Sequence, residues 1–419
     1  METPPSTRAA LVRLVVGVAA VVALLTWWGG WALPVVVAAI LTMVMVHEFG
    51  HYLTAKRAGM RVTDFFVGFG PVVWSTTVGE TRYGVRAIPA GGYVKVPGMT
   101  WSEEVAPADE SRTYREATYP RKVVFASAGS FMHLVMALVL AWASLSFVGV
   151  PSASHVGVAS FTHWDGHAMN AAQLAGVKVG DRIVSVDGHA VTDASRLVAL
   201  VHDDSGRRVT LVVERHGRDL TLHATPVDGR SLTSHGHAVA TGSTPQGYIG
   251  VELENQVVHS SVFAAVPSAF SQVGSTISAA LHSLVHVFSP AEFGSLFHQV
   301  ASPAAAANRK DQLTRPLSIV GVGRVAVEAA QAGPGTLLEI LMIVNVFVGL
   351  LNMVPMLPLD GGHVAVATYE RLRSRRGRRY HADVNRLTPY AYGFMMVLLV
   401  LFACTLYLDV AHPIANPFR

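Results

Sequence analysis

Cysteine is almost absent: the chain of 419 residues holds one, Cys404, inside an apolar segment. A single thiol cannot close an internal disulfide, so any domain outside a membrane must fold on its own core, and a metal site built on cysteines is excluded. Charge is also scarce. Asp, Glu, Lys and Arg make up 14% of the residues, where soluble domains carry about 25%, and the formal net charge is only +4. The basic residues come in short tracts beside apolar runs, which read as topology signals and leave no nucleic-acid footprint. No internal repeat is found. What takes the place of charge is apolar surface, at 51% of residues with a mean hydropathy of +0.39. That is the composition of a membrane protein.

The run Trp31 to Val46 has no charge and leads directly into His47-Glu48-Phe49-Gly50-His51. On a helix, residues four apart share a face, so His47 and His51 can aim two imidazole nitrogens at one metal ion while Glu48 reaches water beside it. This is the H-E-x-x-H arrangement of zinc hydrolases. With 19 histidines in the chain a chance match has some weight. Its position counts against chance, because ionisable groups at membrane depth are costly unless they pair, bind something or face water. Far downstream, Asn352-Met353-Val354-Pro355-Met356-Leu357-Pro358-Leu359-Asp360-Gly361-Gly362 closes another apolar run. Alone, an Asp before two glycines is a turn signal. Beside the first motif, Asp360 supplies the missing oxygen ligand.

Together, His47-Glu48-x-x-His51 and Leu359-Asp360-Gly361 resemble the two signatures of the site-2 proteases, the intramembrane zinc metalloproteases. The likeness runs from about residue 33 onward and is closest to the regulator-of-sigma-E-protease type with one PDZ domain. It implies Zn2+ held by His47, His51 and Asp360, with Glu48 as general base. It also implies substrate contacts from Asn352 and from a β-structure that dips toward the active site, carried here by Gly68-Phe69-Gly70 and Gly91-Gly92. An unwound substrate helix would pair with that segment by strand addition. The implied substrate is a membrane-anchored, single-span protein in regulated intramembrane proteolysis: a pre-cut anti-sigma factor, with remnant signal peptides as a second class. The family pattern A-G-P-x-x-N reads here Ala128-Gly129-Ser130-Phe131-Met132-His133; a hydrogen bond in place of the family Asn or an approach to the site is open to His133, against the preferred reading of a packed or pore-facing histidine.

The expected fold is a polytopic α-helical membrane protein of about five spans, with a membrane-associated β-hairpin segment and an extracytoplasmic PDZ domain. Residues 1–30 form an additional N-terminal span, for which a cleaved signal peptide is the competing reading. Residues 31–56 form the span with H-E-x-x-H, and 57–122 a re-entrant β segment and linker whose glycine-broken alternation predicts hairpins. Residues 123–150 are the next span. The run Ala175-Gly176-Val177-Lys178-Val179-Gly180-Asp181-Arg182-Ile183 resembles a PDZ domain of the bacterial protease type, assigned to 151–230. Residues 231–335 read as an extracytoplasmic loop and amphipathic helix lying along the membrane or against the PDZ unit. A span with Asp360 follows at 336–362, a basic cytoplasmic loop at 363–388, and a last span with a short tail at 389–419. Lys56-Arg57, Arg121-Lys122 and the arginine tract Glu370 to Arg379 mark one cytoplasmic side, near which the His pair and Asp360 both lie. The predicted location is a bacterial inner membrane. Two alternatives are a non-catalytic membrane PDZ scaffold with structural zinc, and a membrane-surface metalloprotease of another family. The first predicts a damaged Glu48 or Asp360, and the second a third ligand in a soluble helix.

Overall fold

The computed structural model describes residues 7–99, 103–235, 237–241, 243–308, 312, 315–374, 380–382 and 384–418. The chain divides into two compact units, one of Met1–Ser144 with Ala265–Arg419, the other of Leu145–Ala264. Residues 375–379 of the predicted basic tract, four arginines and one glycine, lie outside the described residues.

The first unit is helical. Helices α1 (Thr7–Gly29) and α2 (Ala32–Arg57) are followed by strands β1 (Asp64–Val78) and β2 (Thr81–Lys95), then α3 (Tyr119–Ala143). Four helical segments among the described residues are long and apolar enough to cross a membrane: Ala32–Arg57, Tyr119–Val148, Pro334–Asn352 and Thr388–Ala411. At about 1.5 Å per residue, even the 19-residue segment approaches the roughly 30 Å hydrocarbon core. The apolar stretch described in α1, Leu14–Gly29, is shorter. Helix α3 presents Gly129, His133, Ala137 and Ala141, each four apart and buried, so small residues let its neighbours approach closely. It packs on α2 through Gly50, where a Cβ would stand 2.7 Å from the Ala128 carbonyl oxygen.

The hairpin region is more folded back than alternation alone suggests. Asp64–Val67 pairs on one flank with Arg82–Val85 and on the other with Gly92–Lys95, while Trp74–Val78 covers the outside of Thr81–Val85. Glycine permits the reversal: Gly68 has φ +85° and sits so close to Ile88 that a Cβ would lie 2.6 Å from its carbonyl oxygen. A core of Ala55, Met60, Val62, Val96, Tyr114, Phe125 and Ala126 clamps this sheet to α2 and α3. At the hairpin turn, Glu80 accepts hydrogen bonds from Lys56 (2.7 Å) and Arg112 (2.8 Å). Arg61 pairs with Asp109 nearby.

The second unit is built on a six-stranded sheet. Its elements are β3 (Val150–Phe161), α4 (Ala171–Leu174), β4 (Arg182–Val186), β5 (His189–Ala190), α5 (Ala194–His202), β6 (Val209–Arg215), β7 (Arg218–Ala224), β8 (Val227–Asp228), β9 (Thr233–Ser234), β10 (His237–Ala238), β11 (Gly247–Tyr248) and β12 (Val251–Val258). The order is β12-β3-β4-β6-β7, with β5 on β4. Val156, Val158, Ile183, Leu197, Leu211 and Val213 lie in its core. The sequence boundary at residue 230 therefore falls too early: β12 returns to pair with β3 from Val251↔Phe161 to Val258↔Val150. The polar, glycine-rich stretch before it conceals this, because the returning strand supplies the edge that β3 would otherwise leave open.

Back in the helical unit, α6 (Ala265–Val287), α7 (Pro290–Ala301) and α8 (Pro303–Ala306) are followed by α9 (Ile319–Ala332), α10 (Pro334–Asn352), α11 (Asp360–Arg373) and α12 (Thr388–Ala411). Two expectations are corrected here. The amphipathic stretch is two helices broken at Pro290, and α6 packs on α3 and α10 through Ala265, Ala269, Val273 and Ala280. The span assigned to 336–362 ends at Asn352, and Asp360 opens a separate helix. Pro355 and Pro358 lack the backbone donors a continuous helix requires. A buried ion pair ties the far ends together: Arg315 donates to Asp409 at 3.0 Å, while the Ser318 backbone N–H donates to the same carboxylate at 2.7 Å.

Candidate metal centre

The two motifs meet. One turn apart on α2, His47 and His51 place their Nε2 atoms 3.3 Å from each other. Asp360 Oδ2, at the first residue of α11, lies 3.5 Å from His47 Nε2 and 3.4 Å from His51 Nε2. The positive end of the α11 dipole favours a carboxylate there. His51 Nδ1 faces the Phe125 carbonyl at 2.8 Å. A carbonyl only accepts, so Nδ1 carries the proton and Nε2 presents a bare lone pair to the cluster. Asp360 Oδ2 is buried without a hydrogen-bond donor.

Three acceptor atoms crowded together would repel one another with nothing between them. A tetrahedral cation with bonds of about 2.0–2.1 Å has ligand-to-ligand edges of about 3.3–3.4 Å, which matches the spacing of this triad. The residues therefore fit a metal ion of that size.

Around the triad, α3 supplies residues that the motifs do not contain. A Cβ at Gly129 would come within 2.5 Å of both His47 Nδ1 and His51 Nε2, so the absence of a side chain there is what admits the imidazoles. The His133 ring stands 5.0 Å from that of His47, centroid to centroid. His133 Nδ1 is 3.0 Å from Asn345 Oδ1, and Asn345 in turn donates its amide N–H to the Leu341 carbonyl at 2.8 Å. His133 is thus packed, as expected, and it also adjoins the cluster. Gly129 keeps the glycine of the family pattern, whose departures here are Ser130 and His133, and no role is read for it from the sequence. Asn345 is seven residues, or about two turns, before the expected Asn352.

The predicted residues fare unequally. Glu48 follows His47 and lies within the electrostatic reach of His51 and Asp360, with the Val94 backbone N–H facing it. A Cβ at Gly92 would lie 3.2 Å from Glu48 Cγ, so the Gly92–Lys95 edge of the sheet runs beside this carboxylate. Gly68, Phe69, Gly70 and Gly91 pack instead within the hairpin: Phe69 stacks on Tyr93 at 6.3 Å, a Cβ on Gly91 would lie 3.0 Å from the Phe69 ring, and Gly68 and Gly70 abut Ile88. Asn352 is half-buried at the end of α10 and makes no side-chain hydrogen bond among the described residues.

The profile of Peptidase family M50 matches residues 35–400. The chain is 33% identical over 408 residues to the zinc metalloprotease Rip1 of Mycobacterium tuberculosis (strain H37Rv), covering 91% of this chain and 96% of that one. It is 31% identical to Rip1 of Mycolicibacterium smegmatis, covering 90% and 96%. It is 27% identical to the chloroplastic membrane metalloprotease ARASP of Arabidopsis thaliana, covering 87% and 76%. A two-His, one-Asp cluster joining His51 to Asp360, 309 residues further on, within a chain matched along most of its length, leads to one conclusion: the chain belongs to peptidase family M50, the site-2 proteases.

Proposed function

We propose that this protein is a zinc-dependent intramembrane endopeptidase that cleaves the transmembrane segment of a membrane-anchored protein, with His47, His51 and Asp360 as metal ligands and Glu48 as general base. The observation that carries the reading is the close triad of two imidazole nitrogens and one carboxylate oxygen, with a second carboxylate, Glu48, on the helix of the two imidazoles. Zinc bound there supplies a Lewis acid that lowers the pKa of water and polarises a peptide carbonyl. Glu48 takes the proton from the attacking water and returns it to the leaving amine. His51 is held in the metal-accepting tautomer by Phe125, and Asn345 holds the His133 ring against His47. The substrate helix must be unwound before its peptide bonds are accessible. The Gly92–Lys95 edge, which no further strand pairs in the described sheet, is suited to take the extended strand by β-addition. Gly92 is the substrate-side residue this reading favours. Gly68, Phe69, Gly70 and Gly91 act through the hairpin's shape, and Asn352 contacts substrate beyond the triad.

The finer assignments follow the same reading. Helix α1 makes a fifth span in a bacterial cell membrane, and the charged ends of the spans put the active site toward the cytoplasm. The Leu145–Ala264 unit is a PDZ domain on the opposite side. Its peptide groove runs between α5 and β12, a cavity of about 220 Å³ lined by Leu197, Val201, Ile249 and Val251. The turn at Ile249–Gly250, between β11 and β12, forms the binding loop. A pre-cut, single-span anti-sigma factor is the substrate class this architecture suits, since a domain outside the bilayer can reject substrates whose outer part is intact.

The test is cleavage of a tagged single-span substrate by the reconstituted full-length protein. Glu48→Gln lowers turnover roughly 100- to 10,000-fold, the range of general acid–base catalysis, while zinc content stays at the wild-type level. Asp360→Ala loses zinc. Equal cleavage by wild type and Glu48→Gln would remove the catalytic assignment, and undiminished zinc in Asp360→Ala would remove that ligand.

A further inference from the structure

Asp360 does not sit on a span. Residues 353–359, with two prolines, separate its helix α11 from α10, so the place of its carboxylate is set by what α11 packs on. One such neighbour is α3, the helix whose Gly129 makes room for the two imidazoles. Asp360, His363, Ala367 and Glu370 recur at intervals of three and four residues, which puts them along one side of α11. Lys122 and Gly129, seven residues apart, likewise share a side of α3. Between the ends of this contact, Val364 packs on the cluster of Tyr114, Phe125 and Ala126. About 15 Å along α11 from Asp360, Lys122 Nζ donates to Glu370 Oε2 at 2.8 Å, and both residues are buried. The second Glu370 oxygen accepts from the Ala382 backbone N–H at 3.0 Å. The lysine ammonium also stands 5.5 Å from the centroid of the Tyr114 ring, which meets the His363 ring at a near right angle, 6.2 Å away.

A buried ion pair adds little net stability, because desolvation offsets its attraction, and its best-attested use is to fix a register. Apolar contacts such as that of Val364 tolerate the sliding of one helix along another. The charge pair does not, since any slip separates two buried charges. Asp360 tolerates sliding no better. A shift of α11 by a single residue's rise, about 1.5 Å, takes its Oδ2 out of reach of a cation that holds its ligands at about 2.0–2.2 Å. We propose that the Lys122–Glu370 pair is a positioning device for the metal centre: it sets the register of α11 on α3 and thereby places Asp360 Oδ2 against His47 and His51. Both residues act through Asp360 and neither is a ligand. The inference rests on the reading of Asp360 as a zinc ligand.

The experiment uses full-length protein in detergent, stripped of metal by chelation. Zinc affinity is read by competition with a chromophoric chelator, ligand geometry by the visible absorption of the Co2+-loaded protein, and stability by the thermal midpoint of the metal-free form. Lys122→Met with Glu370→Gln removes both charges and keeps an acceptor for the Ala382 N–H. The metal-free midpoint stays at the wild-type level, while zinc affinity falls about 10- to 100-fold, the usual effect of losing an outer residue that orients a ligand, and the Co2+ bands shift. Glu370→Gln alone, the smaller change, weakens zinc binding in the same direction. In an Asp360→Ala background the double substitution lowers the residual affinity no further, because the pair acts only through that carboxylate. Wild-type zinc affinity and Co2+ bands in the double variant overturn the proposal. A metal-free midpoint that falls together with the affinity overturns it as well, by showing a general role in stability, and so does a further loss in the Asp360→Ala background. Undiminished zinc affinity in Asp360→Ala alone would instead overturn the ligand reading beneath the inference, so the two failures are told apart.

Discussion

Glycine 129 shows how a missing side chain can be a functional residue. The two imidazoles occupy the volume that any Cβ would take, and both stand within 2.5 Å of where it would be. Gly129→Ala must move His47, His51 or α3 itself. Overpacking of this kind costs about 1–3 kcal/mol, too little to unfold a bundle with this many packed helices but enough to spread ligands that must sit within a few tenths of an ångström. The expected outcome is a folded protein whose zinc content and cleavage fall together, read by metal analysis of the gel-filtered peak. Stoichiometric zinc in that variant would mean the close approach is not needed. His133 belongs to the same scale: its ring lies between Asn345 and His47, so its orientation is set by an amide that no motif includes.

At the scale of elements, the hairpin is fastened by charge at its turn and by apolar contact at its base. Glu80 accepts from Arg112 and then Lys56, and these bonds hold its carboxyl near a pKa of about 2 instead of 4.5. A depressed folded-state pKa means the unfolded chain takes up the proton first as pH falls. The contribution is therefore complete above about pH 4.5 and disappears on the way down to about 2. Thermal midpoints of the wild type should be level from pH 7 to pH 5 and decline below that, and Glu80→Gln should flatten this acid limb. An identical limb in both proteins would assign the decline to other carboxylates. The side chain is 30% exposed, so solvent screening keeps the effect modest. Helix α6 carries the opposite lesson. Its serines and histidines lower its hydropathy, yet Ala265, Ala269, Val273 and Ala280 form a small-residue seam that sets it against two apolar helices.

For the whole molecule, the Leu145–Ala264 unit has the marks of an independent domain. Its ends are brought together by the pairing of Val150 with Val258, and its core is its own. Asp181 adds a local fixture: burial opposes its charge, but Arg215 and the Lys178 backbone outweigh that and leave its pKa lowered. Expressed alone, residues 145–264 should unfold in one cooperative transition with urea. Leu211→Ala, which empties a fully buried position of the central sheet, should cost about 2–5 kcal/mol. A fragment without a cooperative transition would show that the unit depends on the helices. A fragment ending at residue 230 should fail, because it lacks β12.

The sequence by itself determined the membrane class, the two imidazoles, the acid beside them and the distant Asp360, because each is carried by local composition or by a spacing that a helix converts into a shared face. Only the tertiary structure decided that Gly129 makes room for the site, that Asn345 anchors His133, that Gly92 among the hairpin glycines meets Glu48, and that Val251–Val258 completes the second unit's sheet. Those facts depend on which surfaces touch after the chain has returned on itself. Contacts between residues scores to hundreds of positions apart leave no periodic mark in the order of amino acids.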